Sequence, residues 1–215
     1  MTRKKIIYIH GKGGNSSESE QYKNFFDCEI VGIDYNEYRA WLAKEIILKK
    51  YLEIKTTCSE FEIIANSIGA YFAVLAFENE QNNIKRAYFI SPIVDMEKII
   101  INMMSRAGVS EEDLKTKGEI EIDFGEKLSW EYLKFVREYP LKWNVPTEIL
   151  YGSEDFLTSF ETIQAFSESH NCYLTVMNGG EHWFHTPEQM NFLTQWLKSL
   201  KNKKGELLKS SLENF

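Results

Sequence analysis

Three stretches of this 215-residue chain combine residue types that could do nucleophilic chemistry. In FEIIANSIGAYFA an apolar run ends at Ala65 and a run of small and apolar residues begins at Ile68, leaving Ser67 in the turn between them. Ala65 two positions before and Gly69 two after are small, as a sharp strand-to-helix turn demands, and the string matches G-x-S-x-G with alanine in the first glycine position. Such a turn presents the hydroxyl at a helix N-terminus, where free N–H groups favour an oxyanion. Serine is also a good helix N-cap, so the string alone leaves both roles open.

A serine hydroxyl needs a general base. Of the four histidines, His182 in VMNGGEHWFHTPEQ follows a late strand and precedes the last helix; His185, three residues on, is the alternative, and His170 closes a polar helix end. A carboxylate must orient the imidazole, and ILYGSEDFLTS supplies Asp155 just past another strand, with Glu154 beside it as an ordinary helix-start acid. The resulting chain order is Ser67, Asp155, His182. A fourth stretch, IYIHGKGG, places a glycine loop after the first strand. It lacks the Gly-Lys-Ser/Thr of a phosphate loop, and its glycines are too closely spaced for a dinucleotide fingerprint.

These residues need a scaffold that gathers loops from distant parts of the chain. A continuous apolar run predicts a buried strand over 6–10, a run rich in β-branched residues a second over 29–34, and further short runs predict strands over 61–65, 86–91, 147–151 and 173–177. Helical spacing predicts helices over 18–26, 38–54, 71–80, 159–169 and 187–200. Segment 94–143 is less regular, with helical stretches at 99–104, 110–114 and 129–138 and an alternating strand or hairpin at 119–124. Strands alternating with helices imply an α/β protein with a parallel sheet covered on both faces. Its loops then meet at the carboxyl ends of the strands.

The length suits one domain, expected over 1–202 with a polar tail over 203–215. A net charge of −7 argues against a nucleic-acid partner. Cys28, Cys58 and Cys172 have no metal-ligand spacing, and buried reduced thiols are expected. The apolar run before His10 is too short for a signal peptide, and no run reaches the ~18 residues of a membrane helix. A cytoplasmic protein without a membrane partner is expected.

Taken together, IYIHGKGG, ANSIGA, LYGSEDFLT and GGEHWFH resemble the α/β-hydrolase superfamily, and within it the small single-domain bacterial serine hydrolases, over nearly the whole chain from Ile6 to Leu200. The resemblance implies Ser67 as nucleophile, His182 as general base and Asp155 as its orienting acid, with the backbone N–H groups of Lys12 and Ile68 as the oxyanion hole. It implies a six-stranded sheet of order 2-1-3-4-5-6 in a three-layer sandwich, the superfamily's first two strands being absent. Residues 94–143 stand where that family inserts a cap, whose Met103, Met104, Trp130, Tyr132 and Phe135 could line a pocket or simply pack. It implies a carboxylesterase acting on a small-molecule acyl substrate through an acyl-enzyme, with no metal or organic cofactor. Thioesters, amides and peptides use the same triad, and a non-catalytic binding protein on the same fold is the other alternative.

Overall fold

The computed structural model describes residues 4–123 and 126–212, with side-chain surroundings given as far as Leu200. The six runs of apolar sequence become the six strands of one sheet: β1 (Lys4–Ile9), β2 (Glu29–Ile33), β3 (Glu60–Asn66), β4 (Ile84–Ile90), and, after an intervening segment, Thr147–Gly152 and Cys172–Met177. All neighbours pair parallel, as they must when each strand returns through a crossover. Counting only these six, their order across the sheet is 2-1-3-4-5-6, as expected. The central strands β1, β3 and β4 are covered on both faces, which is why their carboxyl-terminal halves, 6–9, 63–65 and 87–90, read as unbroken apolar runs rather than alternating ones. The two edge strands have a neighbour on one side only and are partly exposed, β2 at Glu29 and the last strand at Tyr173 and Val176.

One face is covered by α1 (Ala40–Lys55), α2 (Ile68–Ala76) and the helix Phe160–Ser169, sharing a cluster with Ile7, Ile9, Ile63, Ala65, Phe89 and Ile149. The other is covered by a 3-10 segment, Ser16–Phe25, and by the last helix, Pro187–Leu212, whose Leu193, Trp196, Leu197 and Leu200 pack on Ile6, Tyr8, Ile64, Tyr88 and Leu150. The expected first helix is thus 3-10 rather than α. It is set by a capping box in which Asn15 accepts from Ser17 N–H and Glu18 reaches back to Asn15. The helix after β3 ends earlier than expected, at Ala76, in a turn closed by Glu80 N–H onto the Phe77 carbonyl. The last helix runs on through much of the expected tail, whose side chains, and residues 213–215 altogether, lie outside the described part.

Segment 94–143 holds α3 (Met96–Ala107), α4 (Glu111–Lys117), an antiparallel hairpin of β5 (Glu119–Glu121) with β6 (Lys127–Ser129), and α5 (Trp130–Glu138). The last residue of the expected strand, Phe124, is outside the described residues. The strands Thr147–Gly152 and Cys172–Met177 are β7 and β8, and the helices Phe160–Ser169 and Pro187–Leu212 are α6 and α7. Cys58 is buried as expected, but Cys28, just before edge strand β2, and Cys172, at the start of the last strand, are only half-buried. Burial still pushes the Cys172 thiol up to about 11, away from reactivity. No helix among the described residues is long and apolar enough to cross a membrane.

Candidate active site

Ser67 stands between β3 and α2 with φ 52° and ψ −124°, a left-handed conformation that costs a non-glycine residue about 1–3 kcal/mol. Neighbouring backbone holds it there. Its N–H donates to the Ile90 carbonyl at 3.0 Å, and its own carbonyl accepts from Ile93 and Ala70, both at 3.1 Å. Small size at Gly69 is required because a Cβ there would stand 2.7 Å from the Ile9 carbonyl oxygen and closer still to that of His10. Glycine lets the helix begin directly against the end of β1. The Ser67 side chain caps nothing: no bond runs from it to the helix, and its Oγ lies 2.8 Å from His182 Nε2.

Asp155 arrives from the loop after β7 and its carboxylate is fully buried. Oδ1 accepts the Leu157 and Thr158 N–H groups at 2.8 and 3.1 Å, and Oδ2 lies 2.7 Å from His182 Nδ1. An ionised carboxylate only accepts, so Nδ1 carries the proton facing it. In the neutral ring Nε2 is then the lone-pair nitrogen, turned to the serine hydroxyl. Glu154, its neighbour, is exposed.

His182 is carried on a loop clamped to the Asp155 loop by backbone bonds. Ser153 N–H donates to Met177 O at 3.0 Å, Glu154 N–H to Gly180 O at 2.8 Å, and Gly179 N–H to Ser153 Oγ at 2.8 Å. The approach is so close that a Cβ on Gly152 would overlap the Gly180 backbone. Of the other candidates, His185 stacks on Trp183 and lies 3.4 Å from Glu181, outside the Ser67–His182–Asp155 chain. His170 sits at the end of α6 against the Phe166 carbonyl.

The glycine loop after β1 passes beside the serine: a Cβ built on Gly11 would be 3.3 Å from that of Ser67. It turns through Gly14 N–H to Gly11 O at 3.2 Å, with Gly13 at φ 77° donating to the Tyr38 hydroxyl at 2.8 Å. The Lys12 side chain is drawn outward to Glu126, 2.5 Å away, just before the β5–β6 hairpin strand β6. Ile68, as the first residue of α2, has an N–H with no acceptor inside its helix. Sequence reasoning gave no part to His10, which is buried and supports this loop. Its Nδ1 bonds the Gly11 carbonyl at 2.8 Å, its Nε2 lies 3.4 Å from Tyr35 N–H, and its ring stacks on Tyr35 at 4.2 Å. A histidine at the end of an all-apolar strand was the available signal. Burial holds the Tyr35 phenol well above its ordinary value, keeping it a neutral donor to the His10 carbonyl.

Met104 and Phe135 are buried in the main hydrophobic cluster, and Met103, Trp130 and Tyr132, partly buried, pack against it. Among the described residues no group of three or more His, Cys, Asp or Glu side chains is arranged to hold a metal ion.

No family model and no curated protein sequence matches the chain. Solved structures do. The chain is similar to Est1E from Butyrivibrio proteoclasticus at 20% identity and a TM-score of 0.72, covering 94% of this chain and 88% of that one. It is similar to mouse alpha/beta hydrolase domain-containing protein 10 at 14% identity and a TM-score of 0.71, covering 93% and 90%. A carboxylesterase structure from the ammonia-oxidizing thaumarchaeon Nitrososphaera gargenis matches at 14% identity and a TM-score of 0.60, covering 94% and 92%.

Proposed function

On the α/β-hydrolase fold that this chain adopts, we propose a serine hydrolase that cleaves a carboxylic ester through an acyl-enzyme. The observation that carries the proposal is the continuous chain Ser67 Oγ–His182 Nε2, His182 Nδ1–Asp155 Oδ2, at 2.8 and 2.7 Å, on a serine whose backbone is strained. His182 takes the Ser67 proton as Oγ attacks the carbonyl carbon, and Asp155 stabilises the imidazolium without accepting its proton. The N–H groups of Ile68 and Lys12 receive the oxyanion, the first aided by the N-terminus of α2. Protonation of the leaving oxygen by His182 releases the alcohol, and water then frees the acid by the same steps in reverse. None of these steps calls on a group beyond the chain and water.

We propose that segment 94–143 is the cap of this single domain; its Glu126, just before β6, pairs with Lys12 of the glycine loop. The choice of an ester is supported by the carboxylesterase among the similar structures. Hydrolysis of p-nitrophenyl butyrate tests the reading: Ser67→Ala is expected to lower kcat/KM by about 10³-fold or more. Turnover that survives the substitution excludes Ser67 as nucleophile.

A further inference from the structure

The two most exposed large apolar side chains among the described residues are Trp183 at 74% and Phe156 at 70%. Each directly follows a member of the proposed triad, Phe156 after Asp155 and Trp183 after His182. The Phe156 ring meets the His182 ring edge-on, with centroids 6.2 Å apart. Trp183 is stacked on His185 at 4.9 Å, in a loop anchored from below. The buried Gln189 accepts from His185 N–H at 3.0 Å and donates to Glu181 at 3.2 Å. The tryptophan is therefore held in place while its face is left to solvent. The exposed Phe156 ring, set against the His182 imidazole, stands where a substrate group leaving over that imidazole would meet it.

We propose that Phe156 and Trp183 form the subsite for the alcohol part of the ester, selecting esters of aromatic or other apolar alcohols. This rests on the proposed triad, because the direction of proton transfer decides which half of the substrate lies here. In acylation the Ser67 Oγ–carbon bond forms, the carbon–alkoxy bond breaks, and the Ser67 proton passes through His182 Nε2 to the departing alkoxy oxygen. That oxygen must lie against Nε2, while the carbonyl oxygen points to the N–H groups of Lys12 and Ile68 on the β1 and β3 side of Ser67. The alcohol group accordingly leaves over His182, where Phe156 meets the imidazole edge and Trp183 adjoins it in the chain. Both residues belong to the loops after β7 and β8 that carry Asp155 and His182.

The test uses the full chain and compares kcat/KM for benzyl butyrate, ethyl butyrate and ethyl phenylacetate by acid release at constant pH. Wild type is expected to favour the benzyl ester over ethyl butyrate. Phe156→Ala and Trp183→Ala should each lower the ratio of kcat/KM for benzyl butyrate to that for ethyl butyrate by about 3–10-fold, the yield of one aromatic contact. Equal losses on all three esters would mean that the rings only hold His182 in place, and overturn the subsite. So would no loss on any, or a loss confined to ethyl phenylacetate, which would give the surface to the acyl group. Wild type that turns over none of the three, and in which a fluorophosphonate leaves Ser67 unmodified, overturns the triad reading and the subsite with it. Modified Ser67 without a benzyl preference overturns the subsite alone.

Discussion

Replacing Asp155 by asparagine preserves the shape of the buried carboxylate and changes only what faces His182. Oδ1 of Asp155 accepts two backbone N–H groups, from Leu157 and Thr158, at 2.8 and 3.1 Å. An amide nitrogen cannot accept, so the asparagine must keep its oxygen on those two donors and turn its NH2 toward His182 Nδ1. The reverse orientation leaves a buried NH2 against two N–H donors, at the cost of several unmade bonds. Nδ1 must then be the lone-pair nitrogen, so Nε2 carries the proton and donates to Ser67 Oγ instead of accepting from it. The tautomer that acts as base is lost, and the imidazolium loses its counter-charge. A loss of about 10³–10⁴ in kcat/KM follows, or about 4–5.5 kcal/mol of transition-state stabilisation. The assay is p-nitrophenyl butyrate hydrolysis, with circular dichroism to confirm the fold and Glu154→Gln as the control expected to stay within about threefold. A loss under tenfold in Asp155→Asn, or a comparable loss in Glu154→Gln, refutes the assignment of the acid.

Three further outcomes follow from the same geometry. His182→Ala should lower ester turnover by about 10³-fold or more while His185→Ala keeps most of it, because only His182 lies between Ser67 and Asp155; steady-state kinetics on the two variants separates them. Gly69→Ala drives a Cβ into the backbone of β1, and thermal unfolding should show a loss of about 1–3 kcal/mol, or about 2–12 °C in Tm. Lys12→Ala removes an exposed ion pair with Glu126, worth at most about 1 kcal/mol, and leaves the backbone N–H in place, so kcat/KM should fall by no more than about fivefold. A collapse of activity there would mean that the lysine side chain, not its backbone, serves the reaction.

Much of this architecture was legible in the sequence because parallel sheets announce themselves. Ile6 to Ile9, Ile63 to Ala65 and Ile149 to Tyr151 are buried on both faces, so they appear as unbroken apolar runs with loops that share one edge. Ser67 was legible through steric demand, since Gly69 is small for reasons of backbone approach. The histidine was less so. His182 and His185 are three residues apart, and the choice depends on a contact between Gly152 and Gly180 that brings distant parts of the chain together. Nothing local encodes it. The supporting role of His10 was hidden for a similar reason, because its partner Tyr35 belongs to the loop after β2. The half-buried Cys28 and Cys172 follow from sheet order, one just before outer strand β2 and the other at the start of outer strand β8.

The central claim is that Ser67 forms a covalent bond with the substrate's acyl carbon. The most direct measurement is intact-protein and peptide mass spectrometry after treatment with a fluorophosphonate. A single adduct on the peptide containing Ser67, absent in Ser67→Ala and strongly slowed in His182→Ala, is the predicted result. No adduct on the wild-type protein, or an adduct at another residue that persists in Ser67→Ala, would contradict it.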